Sequence, residues 1–169
     1  MRDLTNYATH LPLLIKSIEA TDGPILELGL GFSTMIIHMM CKTTGREIYS
    51  FENDLKWLEE NKIYASENHK MFKVYNWDEI DIDETKWGVV LIDHRPAIDR
   101  KRQAVRLQHN ADIILLHDSE PEIDRFYGYS RIYKHFPYRY DYTACKPYTT
   151  ALSKTVDVAK LFGQNPIKS

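Results

Sequence analysis

The chain has 169 residues, 43% hydrophobic and 27% charged, with a net charge of −2. That size and balance suit one globular domain over 1–169 and exclude a disordered or fibrous chain. There is no global basic field, so nucleic acid is not an expected partner, and no apolar run nears the roughly 20 residues of a membrane span.

Leu11, Leu14, Ile15 and Ile18 recur at helical spacing, so the chain is expected to open with a helix that TDGP at 21–24 stops. ILEL at 25–28 is a short buried strand, residues 29–33 a tight turn, and Ser33 or Thr34 the cap of a helix running through Met40. A second strand follows at 47–51. The next helix spans 55–68, with Leu55, Leu58 and Ile63 turned inward, and a third strand lies at 71–75. The acidic stretch 78–84 is a loop or a short helical turn. GVVLI at 88–92 and IILL at 113–116 are the strongest strand signals, continuous and rich in branched residues. Between them 100–108 is helical. Arg95, Arg100, Lys101, Arg102 and Arg106 crowd this segment and read mainly as a solvated basic face. A helix is expected over 123–133, two strands and a turn over 138–158, and a fraying tail over 163–169. Tyr138, Tyr140 and Tyr142 share one strand face, which packs inward or, if exposed, forms a homodimer or substrate surface. Strands alternating with helices predict an α/β fold, a parallel sheet covered on both faces.

Cys41 and Cys145 form no CxxC pair, so a zinc site is not expected. Neither a disulfide framework nor a signal-peptide pattern is visible, and a cytoplasmic setting is the expectation.

Three segments carry chemistry. In LELGLGFST, a buried strand feeds a glycine turn that opens a helix. Gly29 and Gly31 let the backbone approach a ligand, and the helix N-terminus offers free N–H groups. Thr34 stands where a dinucleotide fingerprint has its third glycine, and Glu27 would repel a pyrophosphate; both argue against a nicotinamide dehydrogenase. In SFEND, Glu52 and Asn53 end the next strand, where an acid can accept both hydroxyls of a ribose. Finally, LIDHRP and LLHDSE end the two strongest strands. Parallel neighbours lie about 4.8 Å apart, so Asp93, His94, His117, Asp118 and Glu120 should gather. Two carboxylates so placed need a cation, a shared proton or an arginine.

With YNWDE at 75–79, these segments resemble, in order and spacing, the class I S-adenosylmethionine-dependent methyltransferases. The resemblance implies a Rossmann-like three-layer sandwich with sheet order 3-2-1-4-5 and an antiparallel 7-6 addition. It implies S-adenosylmethionine as cofactor. Gly29, Gly31, Ser33 and Thr34 would line the methionine end, Glu27 would lie near the amino group, and Glu52 and Asn53 would meet the ribose. Trp77 and Asp78 would lie beside the adenine, and Asp93 would face the methionine end and the substrate. Asp93 and Asp118 also resemble the magnesium ligands of catechol O-methyltransferases, with Ser119 in the place of a third, amide ligand. The metal-free option makes His94 or His117 the general base. The activity implied is O-methylation of a small polar acceptor. A cofactor-cleaving enzyme or an inactive cofactor-binding interaction module stays open as the alternative, and His10 is a further residue that could close over the cofactor.

Overall fold

In the computed structural model, which describes residues 8–163, the apolar runs form one seven-stranded sheet. β1 (Ile25–Leu28), β2 (Ile48–Glu52), β3 (His69–Lys73), β4 (Trp87–Ile92) and β5 (Ala111–His117) are parallel. β6 (Tyr138–Tyr142) and β7 (Thr149–Ser153) join the β5 edge antiparallel, so the order is β3-β2-β1-β4-β5-β7-β6. The helices are α1 (Leu11–Glu19), α2 (Phe32–Lys42), α3 (Leu55–Asn61), α4 (Arg100–Leu107), α5 (Asp124–Tyr127) and α6 (Val158–Gly163). None is long and apolar enough to cross a membrane.

Strand alternation divides the core between two layers. Leu26, Val90, Ile92, Ile114 and Leu116 pack on Ala104 and Leu107 of α4 and on Trp77, Tyr129 and Phe136. Ile25, Val89, Leu91, Ile113 and Leu115 pack on Leu14 and Ile18 of α1, Ile37 and Cys41 of α2 and Phe162 of α6. Successive residues of β4 thus serve opposite faces, and all six are buried. A strand covered on both faces has no polar side, which is why 88–92 carries no alternation.

Local expectations were corrected in several places; the third strand, expected at 71–75, is β3 at His69–Lys73. α2 starts at Phe32 with Gly31 in the capping position, so Ser33 and Thr34 lie within its first turn. α3 ends at Asn61; Leu58 is buried, whereas Leu55 and Ile63 face solvent. The helix expected over 123–133 is broken by Gly128, whose left-handed φ of 70° ends α5 after one turn. α6 was not anticipated, and it covers the tyrosine face of β6, where Tyr140 meets Phe162 with ring centroids 5.6 Å apart. That contact assigns the stripe to packing. Of the expected fraying tail, residues 164–169 lie outside the described residues.

At the end of β1, Gly29 has φ +100°, and a Cβ there would lie 2.7 Å from the Asp93 carbonyl carbon and the His94 nitrogen. The ends of β1 and β4 cross too closely for any side chain. At Gly31 a Cβ would meet nothing within 4 Å. Gly29→Ala is therefore expected to lower the unfolding free energy by roughly 2–4 kcal/mol, from left-handed backbone strain plus overpacking. Gly31→Ala should stay within about 0.5 kcal/mol of the parent chain. Urea denaturation checks the contrast, and equal losses for the two would refute it.

Candidate active site

The carboxyl ends of β1, β2, β4 and β5 open onto a cavity of about 670 Å³. Of the residues singled out from the sequence, Gly31, Ser33, Glu52, Asn53, Asp93, His94, His117 and Asp118 line it. Glu27, Gly29, Thr34, Trp77, Asp78 and Ser119 do not.

Glu27 is fully buried beneath the turn. Its carboxylate accepts hydrogen bonds from the hydroxyls of Ser33 (2.6 Å), Ser50 (2.7 Å) and Thr34 (3.0 Å). Burial pushes its carboxyl up to about 7, against these three bonds, which lower it. The acid expected near a ligand amine instead ties the first turn of α2 to β1 and β2. Thr34 joins this by accepting the Gly31 N–H at 3.0 Å. Trp77 is likewise a buried support, its indole N–H bonded to the Arg95 carbonyl at 2.7 Å. Asp78 is exposed and pairs with Arg102 at 3.4 Å.

At one end of the cavity stands Glu52, 5% exposed. One carboxylate oxygen accepts the Leu30 N–H at 2.8 Å and the other the Asp54 N–H at 2.7 Å. Burial raises its carboxyl, and these bonds pull the other way. Each oxygen keeps acceptor capacity for a ligand diol. Further along, the His94 ring stacks on Trp77 with centroids 3.9 Å apart. Its Nδ1 lies 3.3 Å from the Arg95 carbonyl, which selects the tautomer with the proton on Nδ1. Nε2 is buried without a hydrogen-bond partner among the described residues. Burial, reinforced by Arg100, pushes this imidazole down to about 3, so it is neutral at neutral pH.

At the other end the two strand-end acids meet a buried cation. Arg100, 4% exposed, sits between Asp93 (3.0 Å) and Asp118 (2.9 Å). It also donates to the backbone carbonyls of His94 (2.6 Å), Asp93 (3.0 Å) and His117 (3.4 Å). Tyr127 adds a hydrogen bond to Asp118 at 3.0 Å, and Asp118 holds a left-handed φ of 56°. The sequence reading placed Arg100 among solvated charges. The signal that would have found it is helical register: Arg100, Gln103, Ala104 and Leu107 are the buried stripe of α4, at spacings of three, four and seven.

His117 lies against the same acids, with Nδ1 3.3 Å from Asp93 and 3.5 Å from Asp118. Its Nε2 is 3.0 Å from the Thr9 hydroxyl. Burial works to lower this imidazole, but Asp93 and then Asp118 outweigh it and hold it above the ordinary value. Burial also opposes the ionisation of Asp93, and His117 and Arg100 overcome it, keeping that carboxyl well below the usual range. His10 completes this end, with its ring edge-on to His117 at 5.0 Å.

Asp93, His117 and Asp118 present atoms within 4.8 Å of one another, close enough to hold an ion. The set does not fit magnesium. That ion demands an octahedron of oxygens, whereas both carboxylates here already bind a guanidinium and the third donor is an imidazole. Ser119 is not in the group; its hydroxyl accepts from Thr150 at 2.9 Å. The arginine thus fills the role of the cation that paired carboxylates require.

Removing Arg100 leaves two partly buried charges unpaired. Arg100→Met is expected to cost about 3–5 kcal/mol of stability at pH 7. The loss should shrink in acid. Asp93 has a depressed folded-state pKa, so its contribution is present above its unfolded value, about 4, and fades as pH falls below that. Chemical denaturation of both proteins at pH 7 and pH 2 measures the difference, and a loss that does not shrink with acid would refute the assignment.

No family model matches the sequence, and no curated protein matches it. Solved structures do match the fold. The O-methyltransferase TomG from Streptomyces achromogenes, involved in tomaymycin synthesis and solved with S-adenosylmethionine, superposes with a TM-score of 0.63 at 13% identity, covering 87% of this chain and 79% of that one. The DhpI complex with S-adenosylhomocysteine gives 0.60 at 12% identity, covering 89% and 86%. The human methyltransferase 10 domain containing protein gives 0.56 at 12%, covering 89% and 84%. With the strand order and the cavity at the carboxyl edge of the sheet, these likenesses show that the chain has the fold of the class I S-adenosylmethionine-dependent methyltransferases.

Proposed function

We propose that this chain is an S-adenosylmethionine-dependent methyltransferase that transfers the methyl group to a hydroxyl of a small polar acceptor, with His117 as general base and no magnesium. The observation that carries the reading is the Asp93–His117 pair on the cavity wall, with the free face of the imidazole already bonded to a hydroxyl, that of Thr9, at 3.0 Å.

The residues at the opposite end fit the cofactor. Glu52 has acceptor capacity for the ribose diol, and Gly31 leaves open space where a side chain would stand. Bound there, S-adenosylmethionine supplies an electrophilic methyl group on a sulfonium. The chain's own part is alignment and proton removal. Asp93 accepts the Nδ1 proton of His117, which leaves the Nε2 lone pair free to take a proton from a hydroxyl seated where Thr9 now reaches. Arg100 keeps Asp93 ionised and fixes the carbonyls at the ends of β4 and β5. His94 is the weaker candidate for the base, because its imidazole is pushed to about 3 and its Nε2 is buried. Magnesium is not part of this reading, since Arg100 already neutralises both acids.

Calorimetry with S-adenosylhomocysteine, with and without Mg²⁺, tests the cofactor. Binding should be unaffected by the metal, and Glu52→Gln should weaken it about 10-fold, the loss of roughly one charge-assisted hydrogen bond. His117→Ala should leave that affinity intact and cut turnover by about 10²–10⁴. Because the His117 pKa is raised and the base must be neutral, kcat/KM should climb with pH to a plateau that begins above 6.5. Failure to bind S-adenosylhomocysteine would overturn the whole reading. Tight binding with no methylated product across acceptors would favour an interaction module.

A further inference from the structure

The hydrogen bonds of the buried Glu27 do not stop at the residues that clamp the glycine turn. Ser50 of β2 gives its hydroxyl to the Glu27 carboxylate at 2.7 Å and also stands 2.9 Å from Nε2 of His69, the first residue of β3. His69 is 1% exposed, and its Nδ1 lies 3.3 Å from Nδ1 of His38 on α2. The two imidazoles stack with centroids 5.6 Å apart. His38 is partly exposed, with the Tyr64 ring beside it. An unbroken file of hydrogen-bonding atoms thus joins the partly exposed His38 to the acid beneath the turn. His38, Ser50 and His69 are not part of the cavity wall.

A serine hydroxyl has one proton to give, so the states of Glu27 and His69 are tied. With Glu27 ionised, Ser50 donates to the carboxylate and accepts from His69, whose proton then sits on Nε2. With Glu27 protonated, the carboxyl donates to the Ser50 oxygen and the Ser50 proton turns to Nε2 of His69. His69 then carries its own proton on Nδ1, with His38 Nδ1 and the Tyr64 carbonyl as acceptors. Among the described residues, Ser50 is the one donor to Glu27 with such a second acceptor beside it. A proton taken up at His38 Nε2 moves inward by balanced exchange. His38 passes its Nδ1 proton to His69, His69 passes its Nε2 proton to Ser50, and Ser50 passes its own to Glu27. Both imidazoles end neutral in their other tautomers, and Glu27 holds the added proton. Burial holds the Glu27 carboxyl up at about 7 and the His69 imidazole down at about 4, so near neutral pH the acid changes charge while His69 stays uncharged. The charged and titratable groups facing them are Glu52, which raises Glu27, and His38, which lowers His69.

The charge on Glu27 matters to the cavity. Its carboxylate accepts from Ser33 and Thr34 in the first turn of α2, and Thr34 accepts the Gly31 N–H; Gly31 and Ser33 line the cavity. Hydrogen bonds to an ionised acceptor are roughly twice as strong as those to a neutral one, so protonation slackens this clamp. We infer that His38, His69, Ser50 and Glu27 form one proton-coupled unit through which external pH sets how firmly the glycine turn holds its ligand, tight when Glu27 is ionised and loose when it is protonated. For the identity of that ligand this rests on the methyltransferase reading; for the unit itself it rests on the hydrogen bonds.

The test is NMR of the full chain from about pH 5.5 to 9, reading the Glu27 carboxyl carbon and the His69 ring nitrogens, free and saturated with S-adenosylhomocysteine. In the free chain the Glu27 carbon should titrate with a midpoint near 7, and at that same midpoint His69 should trade its Nε2 proton for one on Nδ1 without charging. Protonating Glu27 should weaken S-adenosylhomocysteine binding about fivefold, which by linkage lowers the Glu27 midpoint by about 0.7 pH units in the saturated chain. His69→Phe removes the second acceptor of Ser50 and should lower the free midpoint by about one pH unit, the worth of one hydrogen bond. His69→Gln, which keeps an acceptor, should restore most of it. A Glu27 that does not titrate in the unsubstituted chain, or that titrates while the His69 nitrogens stay still, overturns the inference, whatever the variants do. A midpoint unmoved by bound S-adenosylhomocysteine overturns the control of the turn. Coupled titration without S-adenosylhomocysteine binding would sink the methyltransferase reading and leave the proton-coupled unit standing.

Discussion

Two carboxylates held at the ends of adjacent parallel strands repel each other, and the Arg100 guanidinium between them is what lets Asp93 and Asp118 stand side by side. Its planar fork matters as much as its charge. The same side chain reaches three backbone carbonyls, at 93, 94 and 117, so the two strand ends are fastened by one rigid group. A lysine could neutralise the acids but could not span these five acceptors. The positive φ of Asp118 is tolerable for the same reason: its carboxylate is fixed by Arg100 and Tyr127, which offsets the local strain.

From that arrangement follows the divergence of the three cavity histidines. His117 touches the acids and is held above its ordinary pKa; His94 and His10 are buried without such partners and fall to about 3 and 4. Groups of one chemical kind are thereby given different work. One is drawn toward its protonated form by the acids, and two remain neutral hydrogen-bonding groups near neutral pH.

The sheet was legible in the sequence because both strong strands are apolar on both faces, and the glycine turn after β1 marks where a ligand edge begins. The strand-end cluster was legible for the same reason: Asp93 and His117 are fixed by register, with Ile92 paired to Leu116 just before them. What was not legible depended on groups distant in sequence. Glu27 looked free for a ligand, because nothing in LELGLGFST reveals that Ser50 of the next strand also donates to it. Arg100 looked like one charge in a basic run, since composition hides the helical register that turns it inward. Leu55 and Ile63 looked like core because spacing alone cannot say which positions the sheet covers. Helix α6 escaped because Asp157, which accepts the Lys160 N–H at 3.0 Å, opens it only a few residues from the chain end.

The two ends of the cavity also differ in how they are built. The end near Glu52 is made of strand termini and the first turn of α2, locked from below by Glu27 through Ser33, Thr34 and Ser50. The end near His117 is closed by Thr9, His10 and Pro147, which come from the segment before α1 and from the β6–β7 loop. A fold can preserve a rigid ligand-binding turn while changing what it accepts, provided that recognition is carried by segments outside the sheet. Here those segments are short. On the proposed methyltransferase reading, what the cavity accepts would then be set by few contacts, since His10 and Pro147 are what these segments bring to its wall among the described residues.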